Sequence, residues 1–480
     1  MFEESLRYRA QYQPGHPAIE TAQGPITYAR FHADILRVAN RIAGLGLPPG
    51  SRVLIHDSRP YIHWLLFFAL ERLGHVSVSN DVADHAFEVC RPHAVFSEDA
   101  GKAGRSAHFV HTDQAWVGAA LGGPAEDTGR SLPRPADPVR LVLSSGTTGL
   151  PKPMVLTREM LDLRLSHMLI SHLPPGGRML STMGINAIGG FAASIGIWTS
   201  GGTMIYGGAD LPGAVLTLKP NFLLMAPIQL QHLLAACPAD MAPREDLKIA
   251  VGGSALSRRL WTEARTRLTR HVIYAYGSTE AGPSTGGPAE LVERHPGAIG
   301  FAFPWTEVEV VDEADRPLPS DQIGRLRTRS REMVEGYGLG DGTTDTTAFP
   351  GGWFYPGDLG SRTEDGLFIL EGRDDDVINL GGVKLSAWRI EETLLGFPAI
   401  HEAAAFGLDS GEGMQLVAAV VAEPAADLAA LADAGARAVG RRLSLVKVDR
   451  IPRNQMGKIQ RQALINAVVA GLQRNGPGGA

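Results

Sequence analysis

The sequence is poor in cysteine, in lysine and in long apolar runs. Two cysteines in 480 residues, Cys90 and Cys237, are too few for a disulfide framework or a cysteine-built zinc site, and they point to a reducing compartment. The most apolar run, 61–70, has half the length a bilayer requires. The opening residues mix Glu, Arg and Tyr without an apolar core, so no signal peptide is expected. Lys+Arg 45 against Asp+Glu 51 gives a net charge of −6, which leaves no basic excess for nucleic acid or an anionic membrane. The 15 histidines show no metal-ligand spacing. Hydrophobic residues at 44% and charged ones at 20% describe a globular chain rather than a disordered one. A soluble, cytoplasmic protein of several parts is expected. Only seven of the basic residues are lysine, at positions 102, 152, 219, 248, 384, 447 and 458. In so Arg-rich a chain, a Lys inside a Gly-rich motif reads as a chosen point charge rather than a generic surface cation.

The first half alternates short β-branched runs with helical patterns. Residues 30–43 put Phe31, Ile35, Val38 and Ile42 on one face, with Thr27 as cap and Gly44 as stop. Strands are expected at 52–56, 75–79, 94–97, 139–143, 178–182, 202–206, 221–226, 247–251 and 272–276, with helices such as 62–73, 228–236 and 257–268 between them. That alternation implies crossover connections and largely parallel sheets covered on both faces. From about 298 to 370 the pattern changes to strands and turns, at 308–311, 324–328 and 367–370, which reads as a β-rich subdomain. A charged break, Gly372-Arg373-Asp374-Asp375-Asp376, precedes a smaller α+β segment with a helix over 387–395 and strands at 402–407 and 416–421. The expected class is α/β. A large N-terminal domain, 1–373, holds two parallel-type αβ sheet subdomains and the β-rich subdomain, and a small α+β domain spans 374–480.

The strongest chemical signal follows the apolar run 139–143: Ser144-Ser145-Gly146-Thr147-Thr148-Gly149-Leu150-Pro151-Lys152-Pro153. Small residues let backbone N–H groups approach phosphate oxygens, hydroxyls add donors, and Lys adds a point charge. A Walker A loop is excluded, because Pro151 stands where its second Gly belongs and Pro153 where its Ser/Thr belongs. The glycines between Gly44 and Gly50 lack dinucleotide-binding spacing and follow a helix. Adjacent carboxylates in an extended chain point in different directions, so Asp374-Asp375-Asp376 reads as a linker rather than a metal cluster.

This decamer resembles the phosphate-binding signature of the adenylate-forming superfamily: acyl- and aryl-CoA synthetases, adenylation domains of nonribosomal peptide synthetases, and luciferases. Four further segments are similar to that family's motifs, in family order: Tyr276-Gly277-Ser278-Thr279-Glu280, Gly352-Trp353-Phe354-Tyr355-Pro356-Gly357-Asp358, the hinge segment from Gly372 to Asn379 with Gly382 and Lys384, and Pro452-Arg453-Asn454-Gln455-Met456-Gly457-Lys458-Ile459. Departures are Pro356 in place of Thr, and Pro153 and Arg158 in place of Gly and His. The resemblance implies an enzyme that activates a carboxylic acid as acyl-AMP and passes the acyl group to a thiol, with a mobile C-terminal domain. Its cofactors would be ATP, Mg²⁺ and coenzyme A.

Under that resemblance, Ser145, Gly146, Thr147, Thr148, Gly149 and Lys152 would hold the β- and γ-phosphates. Glu280 would be the Mg²⁺ ligand and Thr279 a donor to the α-phosphate. Tyr276 would stack on adenine, beside Gly253 and Ser254. Asp358 would accept the ribose hydroxyls and Arg373 would fix the nucleotide. Lys458 would be the catalytic cation, Asp375 the hinge, and Gly382 the close neighbour of a pantetheine arm. Asn186, Gly189, Ser278 and Ala281 would line the acyl pocket, which the family begins at Met183–Gly190. No acid occurs between Ser181 and Gly202 to pair an α-ammonium, so a hydrophobic aryl or medium-chain acid is expected rather than an amino acid. Asn186 either hydrogen-bonds the substrate or caps the helix that follows it. The acceptor would be CoA or, alternatively, a carrier protein's phosphopantetheine acting in trans. A luciferase-like oxygenase is the distant alternative.

Overall fold

The computed structural model describes residues 2–79, 83–104, 106, 108–144, 151–171, 173–208, 210–238, 240–340, 342–409, 413–453 and 458–475. The α/β class expected from the sequence is what it shows. Near the N-terminus a six-stranded sheet runs in the order His108–His111, Ala94–Ser97, Arg52–His56, Val76–Ser79, Pro138–Leu143, Pro153–Thr157. All its pairs are parallel except the last. The strand Pro138–Leu143 thus runs straight into the Ser/Gly/Thr loop and the chain returns beside it. Helix Tyr28–Ala43 starts where Thr27 accepts a hydrogen bond from the Arg30 N–H, and buries Phe31, Ile35, Val38 and Ile42, as the periodicity predicts.

The second sheet has 13 strands, and the β-rich part is continuous with it. Its centre is a parallel run: Pro17–Thr21, Thr203–Tyr206, Arg178–Ser181, Phe222–Met225, Lys248–Val251 and His271–Ser278. Phe222–Met225 is buried along its whole length, as a strand covered on both faces must be. The bridge to the β-rich part is Gly282–Pro288, a Gly/Pro-rich segment that no propensity rule assigns to a strand. Pairing on both sides overrides the propensity: one edge bonds His271–Ser278 and the other Ala298–Ala302. Beyond lie Phe368–Arg373, Asp358–Arg362, Gly324–Ser330 and Thr306–Val311, all antiparallel.

The C-terminal segment opens with a hairpin, Val377–Leu380 and Val383–Ser386, and a helix, Ala387–Leu395. A three-stranded sheet of Ile400–Asp409, Met414–Ala422 and Ser444–Lys447 follows. Its strands alternate between two cores, as the period of two demands. Ala403 and Ala405 pack towards Ile390 and Leu394, whereas Ala404 and Phe406 pack towards Leu464 and Val468 of the last helix, Arg461–Asn475. Contacts to the large part are mostly polar: Arg389 to Glu371, and Arg259 to the Ile400 carbonyl at 2.6 Å. Among the described residues no helix is long and apolar enough to cross a membrane.

Sheet continuity depends on Gly300. Its φ is +93°, and a Cβ there would lie 2.3 Å from the Gly286 backbone. Gly300→Ala is expected to lower unfolding stability by at least about 2 kcal/mol, through strain and overlap together. Gly118→Ala, in an exposed helix with nothing within 4 Å, is the control and should not destabilise. Chemical denaturation of both variants checks this; equal midpoints would show that the strand junction tolerates a side chain.

Candidate active site

The parallel strands end along one edge, where open α/β sheets form ligand crevices. Strand His271–Ser278 delivers Tyr276, whose hydroxyl donates to Asp358 Oδ2 at 2.5 Å. Asp358 pairs in register with Arg373 on the next strand. The Arg373 guanidinium lies 3.4 Å from Asp358 Oδ1, 3.3 Å from the Pro356 carbonyl and 2.8 Å from Asp375. Burial pushes the Asp358 carboxyl above the usual range, while the Tyr276 hydroxyl and the charges of Arg373 and Lys458 pull it back. Lys458, from the far end of the chain, therefore shares an electrostatic neighbourhood with Asp358. Gly253 and Ser254 follow the adjacent strand Lys248–Val251, where the Ser254 carbonyl accepts from the Tyr274 hydroxyl at 3.2 Å.

Ser145, Gly146, Thr147, Thr148 and Gly149 lie outside the described residues. The loop's two ends are stapled: Ser144 N–H donates to the Lys152 carbonyl, and Lys152 N–H to Ser144 Oγ, both at 2.9 Å. The Lys152 ammonium stands 4.7 Å from the centre of the Tyr337 ring and 3.6 Å from the Asp345 carboxylate. The Tyr337 hydroxyl donates to Glu280 Oε1 at 3.0 Å, so one side chain touches both the loop cation and the acid. Thr279 and Glu280 occupy the turn between Ser278 and Gly282. Buried Arg164 holds that turn from beneath by donating to the carbonyls of Thr279, Glu280 and Glu332 at 3.0, 3.1 and 2.8 Å. With Tyr337 on one oxygen, the other Glu280 oxygen is a hard donor of the kind that suits Mg²⁺, which binds through one or two carboxylates and keeps its waters.

On the acyl side, the alternative in which Asn186 caps the following helix is corrected. The N-cap of Ile188–Thr199 is Ala187, with no side-chain capping bond. Asn186 Oδ1 is instead buried without a hydrogen-bond partner. Gly189 opens the same helix. Ala281 is fully buried in the core and its N–H donates to Ser278 Oγ at 3.0 Å. Asp375 and Asp376 pair in different directions, with Arg373 and with Arg461. Gly382 lies in the exposed hairpin turn, its N–H donating to Asn379 Oδ1 at 2.8 Å. The geometry thus gathers Tyr276, Asp358 and Arg373 in one group, on which the Lys458 charge acts, and Thr279, Glu280 and Lys152 in another. Sequence reasoning missed Tyr337, Arg164 and Arg140. A signal existed for Arg140, a lone cation in the apolar strand Pro138–Leu143.

An α/β protein of this architecture, with these motif residues along one sheet edge, has the fold of the adenylate-forming enzymes. A family model described as AMP-binding enzyme matches residues 6–338, and the chain belongs to that family. It is 30% identical over 352 residues to a sulfoacetate–CoA ligase of Cupriavidus necator, covering 70% of this chain and 68% of that one. It is 27% identical over 519 residues to a fatty acid–[acyl-carrier-protein] ligase of Mycobacterium marinum, covering 97% of both. The crystal structure of ATP-bound MatB from Rhodopseudomonas palustris superposes with a TM-score of 0.86 at 25% identity, covering 97% of this chain and 99% of that one.

The Tyr276 bond lowers the Asp358 pKa, so its loss should raise it. If nucleotide is held by the ionised carboxylate, Tyr276→Phe is expected to move the acidic limb of AMP affinity to higher pH. It should also weaken binding about tenfold, near the lower end for a hydrogen bond to a charged group. Calorimetric titration with AMP across pH tests both; an unmoved limb would separate Asp358 ionisation from nucleotide binding.

Proposed function

We propose that this protein is an AMP-forming acid–thiol ligase, an acyl- or aryl-CoA synthetase. A carboxylate cannot be displaced by a thiol directly, because oxide would have to leave. In the first half-reaction a carboxylate oxygen attacks the α-phosphorus of ATP and pyrophosphate departs. In the second, the thiol sulfur attacks the acyl carbon, its proton is lost, and AMP leaves with the bonding electrons. The acceptor is CoA; a carrier-protein pantetheine in trans is the second reading, favoured by the likeness to the Mycobacterium marinum enzyme.

The observation that carries the proposal is the cluster at the sheet edge in which Tyr276 donates to Asp358 at 2.5 Å and Arg373 stands 3.4 Å from it, with the Lys458 charge also favouring the ionised acid. It supports a site completed by the C-terminal domain, 374–480, standing over the nucleotide crevice of 1–373. Asp358 and Arg373 hold ribose there, and Tyr276 forms one wall of the adenine pocket. Lys152 meets the terminal phosphates, where positive charge must offset the approach of one anion to another. Thr279 donates to the α-phosphate. Mg²⁺, held by Glu280, supplies charge neutralisation on the phosphate oxygens when bound. Rotation about Asp375 then withdraws Lys458 and brings the Gly382 hairpin to the thiol's approach. The acyl body lies along Asn186, Gly189 and Ser278, beside the partly buried Met183 and Ile185, which suits an aryl or medium-chain acid; Ala281 lies in the core beneath. With no acid between Ser181 and Gly202, an α-ammonium has no partner there. In ATP–pyrophosphate exchange, acids without an α-ammonium are expected to outperform α-amino acids. Phenylalanine or alanine as best substrate would sink the pocket assignment.

Lys458 separates the half-reactions. Lys458→Ala should cut acyl-AMP formation by about 10²–10³, the range for losing one transition-state electrostatic donor. A supplied acyl-adenylate should still be converted to thioester at a near-normal rate. Unchanged adenylation refutes the catalytic role, and equal loss of both steps refutes the alternation of domain faces.

A further inference from the structure

Arg140 sits in the middle of strand Pro138–Leu143 and is 1% exposed. Its guanidinium stacks 3.9 Å from the centre of the Phe191 ring and 5.7 Å from that of Phe67. One terminal nitrogen donates to the Ile185 carbonyl at 3.0 Å, and the other reaches Ser77 Oγ only at 3.5 Å. Nε has no partner. Among the described residues no carboxylate pairs with it, and burial alone pulls its pKa down to about 9. It therefore remains protonated at neutral pH. Nearby His63 is held neutral, its pKa pushed down to about 4 by burial and by Arg140 itself. Asp57, beyond His63, is already engaged by Arg59 and Thr112.

A buried cation with an open donor and no counter-charge is an expensive way to fill a core. A Met or Leu would fill the space between the two rings without desolvating a charge, and such replacements of buried ions are often neutral or stabilising. The rings compensate in part, since a desolvated cation over an aromatic face is favourable. They do not supply an acceptor for Nε.

The position of this charge gives it meaning. The carbonyl it touches belongs to Ile185, next to Asn186, whose buried Oδ1 is also without a partner. Turning that amide over exchanges an acceptor for a donor at the same place. The first turn of the helix beyond holds Gly189 and Gly190, and at Gly190 a Cβ would lie 2.3 Å from the Met183 carbonyl. Bare backbone, an unsatisfied amide and an unpaired guanidinium thus meet where the acyl pocket begins.

We propose that the acid this enzyme activates carries a second anionic group, carboxylate or sulfonate, at the end remote from the reacting carboxylate, and that Arg140 is its counter-ion at the floor of the acyl pocket. The inference rests on the acyl-pocket placement of the preceding section and refines the aryl or medium-chain class to acids with an apolar middle and a charged far end. Arg140 binds substrate charge and takes no part in the chemical step, so its effect belongs in KM.

The test uses acids matched in length, differing in the far group: adipate against hexanoate, terephthalate against 4-methylbenzoate, and 3-sulfopropanoate against butanoate. ATP–pyrophosphate exchange is measured on the full-length protein and on Arg140→Met and Arg140→Lys. The wild type is expected to favour the dianions in kcat/KM by about 10²-fold, as for one buried charge pair. Arg140→Met should abolish or invert that preference through KM, Arg140→Lys should keep part of it, and Arg140→Met should melt no lower than wild type. Wild-type preference for the neutral acids, a preference unchanged in Arg140→Met, or a lowered melting temperature in that variant with unchanged selectivity overturns the proposal. Exchange with neutral acids alone leaves the ligase reading standing. If no acid supports exchange, the ligase reading fails, and calorimetric binding of adipate against hexanoate to wild type and Arg140→Met still decides the role of Arg140.

Discussion

The carboxylate of Asp358 is drawn out of water at the point where three parts of the chain converge, and burial alone would favour its neutral form. Tyr276 reaches it from the last parallel strand, Arg373 from the register partner in the β-rich region, and the charge of Lys458 acts on it from the C-terminal lobe. Each favours the ionised state. The parallel sheet, its antiparallel extension and the small lobe are thus coupled through one acid. The coupling explains why the second sheet must be continuous: were the β-rich strands a separate layer, nothing would fix the distance between the Tyr276 hydroxyl and Asp358.

Much of this was legible in the sequence, for reasons that differ between elements. The helix 28–43 and the strands 52–56 and 222–225 follow from periodicity and apolar runs, because burial dictates those residue types. Motif residues such as Lys152, Glu280 and Asp358 stood out because a phosphate, a metal ion and a ribose would each require a particular functional group, and the roles proposed for them rest on that requirement. Gly282–Pro288 was not, since its strand character comes from neighbours rather than from its own residues. Arg164 was invisible for another reason. It grips the Thr279–Glu280 turn through backbone carbonyls, which every sequence possesses. Tyr337 sits between Lys152 and Glu280 through a fold-dependent approach of segments far apart in the chain.

The two sides of the site are built on different energetic terms. At the nucleotide end, buried ionisable groups satisfy one another within the protein: Asp358 with Tyr276 and Arg373, and Glu280 with Tyr337. At the proposed acyl end, where helix Ile188–Thr199 begins, Arg140 Nε and Asn186 Oδ1 are left open. An unpaired buried donor or acceptor costs about 1–3 kcal/mol, so such atoms mark places where folding stability has been given up. The common nucleotide can be met by a self-sufficient frame, whereas selectivity between acids needs groups that only the right acid completes.

The junction between the lobes follows the same logic of incomplete commitment. The small lobe has two apolar cores of its own, centred on Leu394 and Leu464, and these do not draw on the large part. What crosses the boundary, apart from the Trp388 ring against Gly297, is polar and partly solvated: Arg389 with Glu371, Arg259 with the Ile400 carbonyl, and the Glu392 carboxylate with the Arg258 N–H. Partly exposed ion pairs contribute roughly 0–1 kcal/mol each, because water replaces the partner when they open. A lobe held this way can leave the crevice without exposing its interior. Beside the proposed pivot, Asp375 pairs with Arg373 across the boundary, and Asp376 pairs with Arg461 inside the small lobe. The backbone at Asp375–Asp376 is held by short-range bonds, among them the Asp376 N–H to the Arg373 carbonyl at 3.3 Å. A rotation there would exchange Lys458 for the Gly382 hairpin while leaving the Asp358 group, apart from that one ammonium, intact.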